Sequence, residues 1–232
     1  RSDSTLGYNV LTLTDAVSDV DQLVAEYKGH LNDKRGFTDF GANVYLNPGG
    51  ITSKNTTYDY QQFSNDINVK DSYIYARVNA SRVTYLPNQF KWTSAFQAQY
   101  SSANLLPSEQ LAIGGKRSIR GYEESTASGD HGFMFNQEIH LPPIKLSNNL
   151  GYKGLHDTLH LYGFFDFGVV SNNKNTDNAK NNFDLYSIGP GFRYVISPYF
   201  SLGVDYGIQL REPSYASYNH GSRAHISANV SY

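Results

Sequence analysis

The stretch "LAIGGKRSIRGYEES", Leu111 to Ser125, gathers three glycines, the pair Lys116-Arg117 and an isolated Arg120 between two segments that read as strands. A guanidinium keeps its charge in any protein environment and offers a planar fork of donors, for which a bidentate carboxylate is the best complement. Glu138, Asp166 and Asp205 lie further along the chain, each in a segment of alternating polarity. A glycine-rich basic stretch can also cradle phosphate. That chemistry requires a P-loop Lys-Ser/Thr spacing and a following helix, and this sequence has neither. Gly114, Gly115 and Gly121 read instead as tight backbone turns in a crowded interior.

Other chemistry is sparse. His140, His160 and His225 share the polar faces of their segments and, with Asp166 and the many serines, could mimic a hydrolase triad. No G-x-S-x-G elbow accompanies them, so no catalytic residue is assigned. The 232 residues contain no Cys, which excludes thiolate metal sites, thiol nucleophiles and disulfides. No metal or cofactor is expected. A formal net charge of −2 with 17% charged residues gives no surface for a polyanion, and nucleic acid is not expected as a partner.

The elements that must hold these residues are strands. In "YFSLGVDYGIQL", Phe200, Leu202, Val204, Tyr206, Ile208 and Leu210 alternate with Ser201, Gly203, Asp205, Gly207 and Gln209. The same period of two runs through "RAHISANVSY", "TLHLYGFFDFGVV", "DLYSIGPGFRYVI", "GFMFNQEIHLP", "FKWTSAFQAQYS" and "SYIYARVNASRVTYL". Weaker segments near 4–14, 21–30 and 37–46 bring the expected total to about ten strands. Gly189-Pro190-Gly191 predicts a bulge or bend, because proline has no N–H for a ladder.

No apolar run reaches the roughly 18 to 20 residues of a membrane-spanning helix, and no secretory h-region follows Arg1. A transmembrane barrel escapes that test, because its lipid-facing and lumen-facing side chains average to a polar sequence. Strands near ten residues suit a tilted membrane crossing better than the five or six of an ordinary sandwich. Connections alternate between short turns and long loops, except that 142–157 is longer and the loop near 15–20 shorter than that pattern expects, and Tyr and Phe clustered at strand ends fit aromatic girdles. A soluble sandwich, which also alternates, remains the competing architecture. Tyr232, preceded by Val230, Ala228 and Ile226, resembles the C-terminal assembly signal of bacterial outer-membrane barrels.

The stretch "LLPSEQLAIGGKRSIRGYEESTASGDHGFMFNQEIHLP" resembles the loop-and-strand region of the two-partner secretion transporters, TpsB, a branch of the Omp85 superfamily. Its S-E-Q … G-G run, the tetrapeptide Ile119-Arg120-Gly121-Tyr122 and the later G-D-x-G carry the likeness. "YLPNQFKWTSAFQAQYSSANLLPSEQ" and "FFDFG", Phe164 to Gly168, extend it over about 72–232. The resemblance implies an all-β, antiparallel transmembrane barrel of sixteen strands, of which residues 1–232 would supply the C-terminal ten or so. Loop 102–131 would fold into the lumen with the tetrapeptide at its tip, pinned by Arg120 to Asp166, with Glu138 as second choice.

Family members carry a signal peptide, a plug helix and two periplasmic POTRA domains ahead of the barrel, so this chain is expected to be a C-terminal portion. The implied function is a non-enzymatic transporter in the bacterial outer membrane, secreting a β-rich TpsA-type adhesin, haemolysin or contact-dependent toxin. Its expected partners are that exoprotein, outer-membrane lipid and lipopolysaccharide, and the barrel assembly machinery. An Omp85-type insertase and a passive porin remain alternatives.

Overall fold

The computed structural model describes residues 2–6, 9–13, 18–149, 156–174, 181–212 and 221–231. Among the described residues, strands β1 (Ser2–Leu6) and β2 (Asn9–Leu13) pair only with each other. The expected strand near 4–14 is thus a hairpin outside the main sheet. That sheet is an antiparallel meander of nine strands: β3 (Leu23–Asp33), β4 (Gly36–Asn47), β5 (Tyr73–Tyr85), β6 (Lys91–Ser101), β9 (His131–His140), β10 (Asp157–Ser171), β11 (Asn182–Ile196), β12 (Phe200–Gln209) and β13 (Ser222–Val230). Between β6 and β9 the chain makes a detour that contains the small hairpin β7 (Leu111–Ile113) and β8 (Ala127–Gly129). The loop after β4 holds a short helix, α1 (Thr57–Ser64).

Alternation sorts the side chains of the nine strands onto two faces. One carries Phe133, Phe135, Phe165, Ile188, Ile208 and Ile226, each more than a third exposed. The other carries Asp166, Val170, Leu185, Ser187 and Asp205, all fully buried. The accessible surface of 14,544 Å² is well above the about 10,500 Å² typical of a water-soluble monomer of this mass. Part of the excess is the bare apolar face, which water would penalise by about 25 cal/mol per Å². The sheet is open at β3 and β13 among the described residues. Unpaired edges of this kind are not tolerated in hydrocarbon, so the wall needs further pairing there.

Pro190 lies inside β11 and faces Gly163 of β10. Pairing with β12 lapses at Gly189 and Pro190 and resumes at Gly191 opposite Asp205 in unchanged register. The feature is therefore a gap in the ladder without the extra residue of a bulge, as the missing proline N–H requires.

Candidate functional site

The detour between β6 and β9 lies across the polar face of the sheet. Leu111, Ile113, Ile119, Tyr122 and Ala127 form one buried apolar cluster with Val170 of β10 and Leu185 of β11. A second cluster joins Leu105 and Leu106 of the detour to Tyr60 of α1 and to Tyr73 and Tyr75 of β5. The Asp130 carboxylate ties the start of the detour to the loop after β10 by accepting from the backbone N–H of Leu105 and of Asn173, each at 2.8 Å. Burial pushes the Asp130 carboxyl above its ordinary range, against those donors and that of Gln110, which favour its charged form.

The turn that presents Arg120 depends on glycine. Gly114 and Gly115 both have φ of +104°, and Gly121 has φ of +92°. At Gly121 a Cβ would also lie 2.9 Å from the carbonyl of Gly207, so side chains are excluded by both conformation and contact. Gln209 then donates to the Gly121 carbonyl at 2.7 Å. Tyr122 is almost fully buried, and its hydroxyl donates to the Tyr186 carbonyl at 2.8 Å.

Arg120 is only 4% exposed. Its Nε and Nη2 donate to the two oxygens of Asp166 at 2.7 and 2.8 Å, and its backbone N–H adds a third bond to that carboxylate at 3.1 Å. Nη1 donates to Glu138 at 2.6 Å and to Asp205 at 3.3 Å. The guanidinium carbon lies 3.6 Å from the centre of the Phe164 ring, within cation–π range. Asn136 donates to Asp166 at 2.9 Å, Arg193 to Asp205 at 3.0 Å, and the Tyr162 hydroxyl also donates to Asp205. His140 Nε2 lies 2.9 Å from Glu138. Two guanidiniums thus share three carboxylates, with Arg120, Asp166 and Asp205 buried and Glu138 and Arg193 partly open, and each charge has a partner and hydrogen bonds besides.

The structure places Ile119, Arg120, Gly121, Tyr122, Gly114 and Gly115 together in this detour, and brings both Asp166 and Glu138 to Arg120. Val230 lies far along β13, paired with Phe200 and largely exposed. Tyr232 lies outside the described residues. Asn136, Tyr162, Phe164 and Gln209 complete the site. Their only signal in the sequence is that they share a strand face with Glu138, Asp166 and Asp205. Among the described residues, no three His, Asp or Glu side chains are grouped as a metal ion would need. The carboxylate oxygens around Arg120 are already engaged by donors.

A nine-stranded meander with one apolar face toward lipid and one polar face covered by an inserted loop defines a section of a transmembrane β-barrel. The solved structure of CdiB from Escherichia coli has this fold, with a TM-score of 0.64 over 95% of this chain and 38% of its own, at 16% identity. The chain belongs to the family of haemolysin secretion/activation proteins ShlB/FhaC/HecB, whose model matches residues 8–194. The heme/hemopexin transporter protein HuxB of Haemophilus influenzae is 24% identical over 178 residues, covering 74% of this chain and 29% of its own length. The outer membrane transporter CdiB of Dickeya dadantii is 30% identical over 87 residues, covering 37% of this chain and 16% of its own. The chain thus spans less than a third of the length of HuxB and of the Dickeya CdiB. Its place is the bacterial outer membrane.

Proposed function

We propose that this chain contributes wall and latch to an outer-membrane conduit that secretes a large β-rich exoprotein of the TpsA type, without catalysing a reaction. The observation that carries the reading is Arg120, buried at the tip of an inserted loop and bonded to carboxylates of three strands. Such a contact holds the loop across the polar face, where an exported chain would have to pass. The Ile119-Arg120-Gly121-Tyr122 tetrapeptide is the latch, Asp166 its main anchor and Glu138 the second. Membership of a secretion family favours this reading over an insertase and over a passive porin.

In the assembled conduit, lipid and lipopolysaccharide would cover the apolar face, and the barrel assembly machinery would read Tyr232 and Val230. The test is secretion of the cognate exoprotein by the full-length protein carrying Arg120→Ala. Removing one partner of a buried ion pair costs about 3–5 kcal/mol, so the loop loosens and secretion falls while membrane levels of folded barrel stay constant. Equal secretion by the variant would reject the latch. Conductance unaffected by Arg120→Ala, with no exoprotein exported, would point to a porin.

A further inference from the structure

Behind the latch, on the lipid side of the wall, the strands leave a hollow of about 590 Å³. Its lining is apolar: Ile139 of β9, Gly163 and Phe165 of β10, Ile188 and Pro190 of β11, and Ile208 of β12. The cause is local. Gly163 carries no side chain, a Cβ built there meets no atom within 4 Å, and its cross-strand neighbour is Pro190, where the ladder to β12 lapses. Gln137 also lines the hollow, but its side-chain oxygen accepts from Trp92 at 2.7 Å and from Ser94 at 2.9 Å, and its amide nitrogen donates to the Asn136 carbonyl at 2.6 Å. It therefore presents little unpaired polarity to an occupant.

We propose that this hollow is a binding site for one acyl chain of an outer-membrane lipid. Three observations select that occupant. The volume falls within the range of about 300–1,000 Å³ usual for small-molecule sites. Gly163 and Ile188 lie near the middle of two strands of 15 residues each, a depth at which a barrel wall faces hydrocarbon tails and not headgroups. The hollow also lies on the same outer face as the exposed Phe133, Phe135 and Ile226, which has lipid as its solvent. An empty apolar recess in that setting forfeits dispersion contacts, and a flexible methylene chain restores them. The proposal does not depend on what crosses the barrel, and the reading of secretion can fail without it.

The experiment uses the full-length protein in vesicles of phosphatidylethanolamine and phosphatidylglycerol, doped with a phospholipid carrying a diazirine at the end of one acyl chain. Irradiation and peptide mapping are expected to find lipid adducts concentrated on Phe165, Ile188 and Ile208. Gly163→Leu fills the recess and should abolish the excess of those adducts over the rest of the outer face, because no gap is left for a methylene chain to fill. Ala98→Leu, elsewhere on the same outer face, should leave them unchanged. Adducts spread evenly along the apolar face, or equally abundant in both variants, would mark ordinary surrounding lipid and overturn the proposal. If Gly163→Leu does not assemble, Gly163→Ala carries the test. Its added methyl has free space, and adduct levels equal to those of the unsubstituted protein would again overturn it.

Discussion

At the scale of single residues, the site depends on the shape of one side chain as well as its charge. Lys at position 120 would keep the cation but lose the fork that engages both oxygens of Asp166 while Nη1 reaches Glu138. Arg120→Lys is therefore expected to loosen the detour nearly as much as Arg120→Ala, losing a large part of the about 3–5 kcal/mol of a buried pair. Protease sensitivity of residues 102–130 in the folded barrel is the measurement, and sensitivity equal to that of the unsubstituted protein would show that charge alone suffices. Alternation of residue types places Glu138, Asp166 and Asp205 on one face, so their common surroundings are legible in the sequence. Which of them meet Arg120 is not, because that depends on the path of a long loop. Phe164 under the guanidinium is equally silent in the sequence, since nothing marks one inward aromatic among many.

At the scale of elements, the long strands are legible because a two-residue period sustained over ten or more positions is the mark of a strand whose two faces meet different surroundings. The three-residue strands β7 and β8 are too short to show a period, and they form only because the detour packs against Val170 and Leu185. Helix α1 lies in the long connection between β4 and β5, where Thr56 and Asp59 carry a capping pattern. The Thr56 hydroxyl oxygen accepts from the Asp59 N–H at 3.3 Å, and the hydroxyl donates back to the carboxylate at 2.5 Å. That second bond holds the Asp59 carboxyl below its ordinary value. A carboxylate with a depressed folded-state pKa stabilises the fold above its unfolded value, near pH 4, and loses that contribution as pH falls through the lower folded value. Thr56→Ala should weaken the helix by about 1 kcal/mol. Hydrogen exchange of the Asp59 and Tyr60 amides would report it, with the difference between variant and unsubstituted protein shrinking in acid. A difference independent of pH would show that the Asp59 carboxylate takes no part.

At the scale of the whole molecule, the two faces of the wall answer to two solvents. Phe135→Lys on the outer face should destabilise the inserted barrel by about 2–4 kcal/mol if the position lies near the bilayer midplane. Tyr58→Lys on exposed α1 should stay within about 0.5 kcal/mol. Urea unfolding from vesicles compares them, and equal midpoints would contradict the assignment of faces. Deleting Tyr232 should lower the amount of inserted protein, which membrane fractionation would detect; unchanged levels would remove its role in assembly. The class of the fold is legible in the strand pattern. The bareness of the wall at Gly163 and Pro190 is not, because it arises from two residues of different strands that meet only through register. The three carboxylates around Arg120 come from β9, β10 and β12, strands distributed over four neighbouring positions in the wall. Were the detour to withdraw, Arg193 beside Asp205 would be the one guanidinium left among them. Withdrawal of the detour, as the proposed secretion would require, would then be an ion-exchange step as well as a mechanical one. A counter-ion, whether a hydrated sodium or a lysine on an exported polypeptide, would have to take over as the guanidinium leaves, and the ease of that handover should vary with the salt outside the cell.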